Sequence, residues 1–122
     1  MNNFYSNNFS TINLYKKPSS KSEVVTQMIY GERFKVINKS LKWLKIKIIE
    51  DKYTGYIKKK KFFSYIRPTH KVSVLCADIY RTPNFKSKIT KLPYASKIKI
   101  DKVYSKFARF QNNWIEKRKI KP

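Results

Sequence analysis

This sequence is short of the residues on which most small-domain chemistry depends. It has one cysteine, Cys76, and one histidine, His70. A single thiol forms no intramolecular disulfide, so no covalent staple holds the fold. Zinc sites lack donors, and a catalytic thiol would have only His70 as its base. The two lie six residues apart on what reads as one strand. Strand rise then separates them by about 20 Å, too far for a dyad. Cys76 is therefore expected as a small buried thiol. Two glycines and five prolines exclude collagen-like and low-complexity chains. No apolar run approaches the roughly 20 residues of a membrane-spanning helix. Met1 to Asn8 have neither a basic start nor an apolar stretch, so they read as no secretory signal. The chain is expected in the cytoplasm, with cell-envelope association as the other reading. No metal site and no cofactor are expected.

Acid is scarce as well. Asp and Glu number 7 against 29 Lys and Arg, a formal charge of +22 on 122 residues. Such a charge creates a strong positive potential and suits polyanions: nucleic acid, anionic lipid or an acidic cell-wall polymer. Arginine, the residue for bidentate phosphate and base recognition, accounts for only five of the 29. Lysine, asparagine, isoleucine, tyrosine and phenylalanine all have AT-rich codons, so a biased genome alone would produce this balance. The run Lys58–Lys61 reads as a solvated edge.

What is present is enough apolar material to fold. Hydrophobic residues make up 41% and aromatics 16%, which argues against disorder. The length allows one ordinary domain or two very small ones. An internal repeat selects the second. Leu14-Tyr15-Lys16-Lys17-Pro18 is answered by Ile79-Tyr80-Arg81-Thr82-Pro83, Lys21-Ser22 by Lys86-Ser87, and Val24 by Ile89. After a one-residue deletion Tyr30 meets Tyr94, Phe34 meets Ile98 and Val36 meets Ile100. Trp43 then meets Phe107, Ile46 meets Phe110, Tyr56-Ile57 meets Trp114-Ile115 and Phe62 meets Ile120.

Each copy reads as β. Over 42–49, Leu44, Ile46 and Ile48 point one way while Lys45 and Lys47 point the other, the period of a half-buried strand. Residues 32–38, with Phe34 and Val36 inward, and 97–100 behave alike. Turn residues punctuate the runs at 18–20, 30–32, 38–40, 51–52 and 112–113. Short strands and frequent turns imply small closed barrels. The expected fold is all-β, two tandem small barrels. The expected division is a flexible N-terminus at 1–9, a first barrel at 10–63, a linker at 64–71 marked by Pro68, and a second barrel at 72–122.

The ordered set Asn13-Leu14-Tyr15-Lys16-Lys17-Pro18, Val24-Val25-Thr26-Gln27, Tyr30-Gly31-Glu32, Trp43-Leu44-Lys45-Ile46 and Gly55-Tyr56-Ile57 resembles the bacterial Src-homology-3 domain. The second copy, from Pro68-Thr69-His70-Lys71-Val72 through Tyr80, Pro83, Leu92-Pro93 and Phe107-Ala108-Arg109 to Trp114-Ile115, resembles the second barrel of a tandem. That tandem precedes the catalytic domain of NlpC-type cysteine peptidases, the dipeptidyl-peptidases that cut the γ-D-glutamyl to diamino-acid bond of cell-wall peptides. The resemblance implies a module that binds or positions peptidoglycan stem peptide, and a peptidase catalytic domain as partner. It places Glu32 as a carboxylate for the peptide's free ammonium, with Tyr30, Tyr53 and Tyr56 as hydrogen-bonding walls. Trp43 and Trp114 are expected in a core or interface, and His70 as a hydrogen-bonding residue of the linker.

The departures from the pattern restrict what is carried over. Tyr56 stands where the family has tryptophan, Asn113 where it has glycine, and Ala95-Ser96 where the first copy has Gly31-Glu32. The second barrel is therefore expected to support more than bind. No segment resembles the catalytic domain and Cys76 does not sit in its motif, so no catalytic residue and no enzyme activity are assigned. The runner-up reading is a small basic β-barrel that binds RNA or single-stranded DNA, recognisable by aromatics and basics interleaved on one exposed face.

Overall fold

A computed structural model of the chain describes residues 4–122. They divide into two compact units, the first ending at Ile66 and the second running over Arg67–Pro122. Both are all-β, with two single-turn 3₁₀ segments and no α-helix among the described residues. Among the described residues, therefore, no helix is long and apolar enough to cross a membrane.

The first unit contains β1 (Phe4–Ser6), β2 (Thr11–Tyr15), β3 (Val24–Ile29), β4 (Arg33–Lys39), β5 (Trp43–Ile48), β6 (Thr54–Lys58) and β7 (Phe63–Ser64). They pair antiparallel in the order β3-β2-β6-β5-β4-β1-β7. Along β5 the inward residues Leu44, Ile46 and Ile48 are buried and the residues between them are half-buried, as the alternation predicts. They meet Leu14, Met28, Phe34 and Ile57 in one apolar cluster. Burial of each such side chain contributes about 1.5–3 kcal/mol before entropy is charged against it. Gly55 permits the close approach of β6 to its neighbour β2: a Cβ there would lie 2.8 Å from both Leu14 Cγ and the Tyr15 carbonyl oxygen.

The second unit contains β8 (His70–Val72), β9 (Cys76–Tyr80), β10 (Lys88–Pro93), β11 (Lys97–Ile98), β12 (Lys102–Tyr104), β13 (Phe107–Phe110), β14 (Asn113–Glu116) and β15 (Ile120–Lys121). The repeat holds residue by residue. Ile12 faces Met28 as Ala77 faces Leu92, and Ile46 faces Gly55 as Phe110 faces Asn113. One difference is topological. The counterpart of β4 is interrupted at 99–101, so the unit has separate sheets, β10-β9-β14-β13-β12 and β11-β8-β15. The strand expected over 97–100 thus ends at Ile98.

Three expectations are corrected. The flexible lead-in at 1–9 is instead structural from Phe4 onward, while residues 1–3 lie outside the described residues. Tyr5 of β1 faces Phe34 and Ser6 faces Phe63, just as β8 pairs with β11 and β15. Asn7 and Val72 occupy matching places, both fully buried. The Asn7 side chain donates to the Met28 carbonyl at 3.1 Å and accepts from the Phe9 N–H at 3.0 Å, which satisfies an amide that burial would otherwise penalise. The linker expected at 64–71 is likewise partly strand, with Ser64 in β7 and His70 in β8. Finally, Cys76 is exposed rather than buried and lies on β9, whereas His70 lies on β8. Cys76 starts β9 opposite Pro93 at a strand end, where no neighbour covers it.

The one-residue deletion also falls earlier than the sequence match placed it. Tyr15 pairs with Val24 and Tyr80 with Lys88, so Glu23 is the residue without a counterpart.

Candidate functional site

Two of the four candidate residues share one turn. Ile29-Tyr30-Gly31-Glu32 links β3 to β4, with the Glu32 N–H on the Ile29 carbonyl at 3.2 Å. Gly31 sits at φ 84°, the left-handed region that glycine enters without penalty. The turn is fastened to the end of β1: the Gly31 N–H reaches the Asn7 carbonyl at 2.7 Å, and the Asn7 N–H reaches the Glu32 carbonyl at 3.0 Å. The Glu32 carboxylate is held as well, its Oε1 accepting the Ile29 N–H at 2.8 Å. Tyr30 is half-buried, and burial pushes its phenol up to about 12. It therefore stays a neutral hydroxyl, able to donate, at any ordinary pH.

Tyr53 reaches the same end of the unit through the sheet. The Ile49 N–H bonds the Arg33 carbonyl beside Glu32, and the Ile48 N–H bonds the Tyr53 carbonyl, both at 2.9 Å. Tyr53 is 48% exposed. Tyr56 lies elsewhere. It is on the outer face of β6, opposite Lys45, whose Nζ stands 5.9 Å from the ring centroid. Tyr15 of β2 is its partner on the other side, and Trp43 meets Tyr15 edge-on at 6.0 Å with ring planes 88° apart. Tyr15, Trp43, Lys45 and Tyr56 are all half-buried. The structure thus gathers Tyr30, Glu32 and Tyr53 at one end and assigns Tyr56 to an outer aromatic face.

That face is what the sequence reading missed. Trp43 was expected in a core or interface, yet the alternation that turned Leu44 and Ile46 inward already turned Trp43 and Lys45 outward. Tyr15 and Tyr56, each adjacent to a buried aliphatic residue, follow the same logic. Trp114, by contrast, is buried, with Tyr80 and Phe107, in a small cluster of the second unit. His70 Nδ1 lies 2.7 Å from Thr69 Oγ1, a local hydrogen bond where one was expected.

The rest of the surface offers other chemistry only in outline. A cavity of about 520 Å³, lined by Tyr5, Phe34, Val36, Leu44, Lys59 and Phe62 among others, contains none of the four candidates. Among the described residues no group of three or more His, Cys, Asp or Glu side chains could hold a metal ion.

Comparisons with known proteins bear on the fold of the chain. Residues 14–62 match the family model described as the bacterial dipeptidyl-peptidase Sh3 domain. No curated protein sequence matches the chain. Among solved structures, an NlpC/P60 family protein from Bacillus cereus superposes with a TM-score of 0.77 at 16% identity, over 97% of this chain and 55% of that one. The chain therefore spans about half the length of that neighbour and shares its fold over nearly all of its own residues. The first unit is a Src-homology-3-like barrel, matched over residues 14–62 by a bacterial dipeptidyl-peptidase domain model, and no catalytic domain is identified within the chain.

Proposed function

We propose that this chain is a non-catalytic tandem barrel that binds or positions peptidoglycan stem peptide for an NlpC-type γ-D-glutamyl-diamino-acid endopeptidase, as part of that enzyme or as its separate partner. The observation that carries the reading is the match of the first barrel to a dipeptidyl-peptidase domain, with the likeness of both barrels to an NlpC/P60 protein about twice as long.

The turn at 29–32 supports the role given to Glu32. Its carboxylate is fixed by a backbone N–H rather than swinging freely, so an arriving ammonium meets an oriented acceptor and loses less entropy on binding. Tyr30 is a neutral donor in the same turn, and Tyr53 is an exposed aromatic wall at the same end. Tyr56 takes no part at that end, so the proposed peptide site contains Tyr30, Glu32 and Tyr53. Calorimetry with a stem tripeptide bearing a free N-terminal L-alanine tests it. Glu32→Ala should weaken binding by about tenfold, the usual worth of a charge-assisted pair. Equal heats from Glu32→Ala and the parent would remove Glu32 from the site.

The nucleic-acid reading retains one supporting observation, Lys45 and Lys47 beside Tyr56 and Trp43 on the outer side of β5 and β6. Tyr15 and Trp43, however, pack edge-on against each other and are half-buried, which leaves less open ring face for a base to stack on. Filter binding with oligothymidylate at increasing salt separates the two, since a phosphate binder loses affinity steeply.

A further inference from the structure

The two barrels carry corresponding loops, one residue longer in the first, with a telling difference at the tip. Residues 16–23 follow β2 and residues 81–87 follow β9, and several of their hydrogen bonds coincide. The Lys17 N–H bonds Ser22 Oγ at 3.0 Å, and the Thr82 N–H bonds Ser87 Oγ at 3.1 Å. The Ser19 N–H bonds the Lys17 carbonyl and the Asn84 N–H the Thr82 carbonyl, both at 2.7 Å. The Lys21 N–H bonds Ser19 Oγ, and the Lys86 N–H bonds Asn84 Oδ1. These matches fix the register, so Ser20 occupies the place of Phe85.

Phe85 folds back over its own barrel. Its ring centroid lies 4.9 Å from that of Phe107 and 5.6 Å from that of Tyr80. Beneath it Tyr80, Phe107 and Trp114 are 5%, 4% and 9% exposed. Their counterparts in the first barrel, Tyr15, Trp43 and Tyr56, have a serine at that loop position and remain half-buried.

A second exchange accompanies the first. Glu116 lies with Phe85, Lys106, Lys117 and Arg118 around one hollow of the second barrel. Its carboxylate is held by Arg118 at 2.8 Å and Lys119 at 3.8 Å. The matching position of the first barrel is Lys58, which lies with Trp43, Lys42 and Lys59 around a comparable hollow. The repeat equates Lys42 with Lys106 and Lys59 with Lys117. Both copies thus keep the cations and the aromatic floor, and at these matched positions the second has a covering ring and a carboxylate where the first has Ser20 and Lys58.

We propose that the outer face of the first barrel binds a polypeptide segment that presents an aromatic side chain beside a carboxylate, and that the second barrel holds the same site closed with its own Phe85 and Glu116. The ring of the bound segment takes the place of Phe85 over Tyr15 and Trp43, where edge-on aromatic packing is favourable. Its carboxylate takes the place of Glu116 among Lys42, Lys58 and Lys59, a cluster with no acid of its own in that hollow. This site is separate from the turn that holds Glu32 and does not depend on that turn's role.

The test uses the full chain and reads the two indole N–H resonances, Trp43 and Trp114, by nuclear magnetic resonance. The probe is the peptide acetyl-Glu-Phe-Asp-amide. It should shift Trp43 and leave Trp114 in place. Replacing its phenylalanine by alanine, or both acids by lysine, should weaken the response by about tenfold, the worth of one ring contact or one oriented charge pair. Ser20→Phe, at an exposed loop tip, should close the first barrel and weaken binding by a similar factor. Phe85→Ala should open the ring position of the second barrel, where Glu116 remains, and make Trp114 respond to the neutral peptide acetyl-Gln-Phe-Asn-amide. Glu32→Ala should change neither. An unmoved Trp43, an undiminished response in Ser20→Phe, or a response to oligothymidylate or an N-acetylglucosamine oligomer but not to the peptide would each overturn the proposal. Should Phe85→Ala fail to fold, the Ser20→Phe result decides alone.

Discussion

At the scale of single residues, the repeat makes each barrel a control for the other. Gly31 and Ala95 sit at the same turn, at φ 84° and 70°. The turn bonds match too: the Ala95 N–H reaches the Val72 carbonyl at 3.0 Å, and the Ser96 N–H the Pro93 carbonyl at 3.2 Å. Alanine therefore carries a left-handed cost that glycine avoids. Ala95→Gly should stabilise the second unit by about 1 kcal/mol, and Gly31→Ala should destabilise the first by a similar amount. Urea midpoints check both. Tyr30 yields a prediction in pH. Its phenol titrates near 12 in the folded chain, against an ordinary value near 10 when unfolded. Below the unfolded value both states keep the proton and stability is unaffected. Above it the unfolded chain ionises first, so this contribution is lost as pH rises from about 10 to about 12. Many lysines titrate over the same interval, so the measurement is the difference between the parent and Tyr30→Phe. That difference should be level up to about pH 9.5 and then move against the parent.

At the scale of elements, β1 shows where pattern reading stops. A strand reveals itself by alternation against a core, and 4–7 reads Phe-Tyr-Ser-Asn, with a fully buried amide at the end. Nothing in that run resembles its counterpart Thr69-His70-Lys71-Val72, because the shared feature is backbone pairing rather than side-chain type. Asn7→Ala should therefore cost about 2 kcal/mol, since it strips partners from the Met28 carbonyl and the Phe9 N–H in the interior. Thermal or urea unfolding of this variant measures the effect, and an unchanged midpoint would mean water replaces the amide. β5 is the opposite case. Its alternation announced the inward Leu44, Ile46 and Ile48 and, by parity, the outward Trp43 and Lys45. Tyr15 and Tyr56 became part of a site only when the register set β2 beside β6, information that no local window contains. The same limit explains the split of Tyr56 from Tyr30 and Glu32, which a list of aromatics had grouped together.

At the scale of the whole molecule, charge dominates. The described residues hold ion pairs such as Arg33 with Glu50 at 3.7 Å, Lys88 with Asp78 at 3.2 Å and Arg109 with Asp101 at 2.9 Å, all between partly exposed side chains. Such pairs contribute little, and seven acids cannot neutralise 29 cations. Mutual repulsion among lysines should make the chain more stable as salt rises. The melting temperature should climb between about 10 and 150 mM sodium chloride, over which the screening length shortens from about 30 to about 8 Å. A falling melting temperature would show that the ion pairs outweigh the repulsion. The tandem itself was legible, because apolar positions survive duplication better than residue identities do. The different states of the two aromatic faces were not, since they turn on a residue at the tip of a polar loop. That loop has a practical side. Its shape is set by hydroxyl and amide fasteners at 19, 22, 84 and 87, so the tip residue is an interchangeable cartridge. Saturating position 20 with all side chains would give a small library of binders in which the packed ring of Phe85 is left in place.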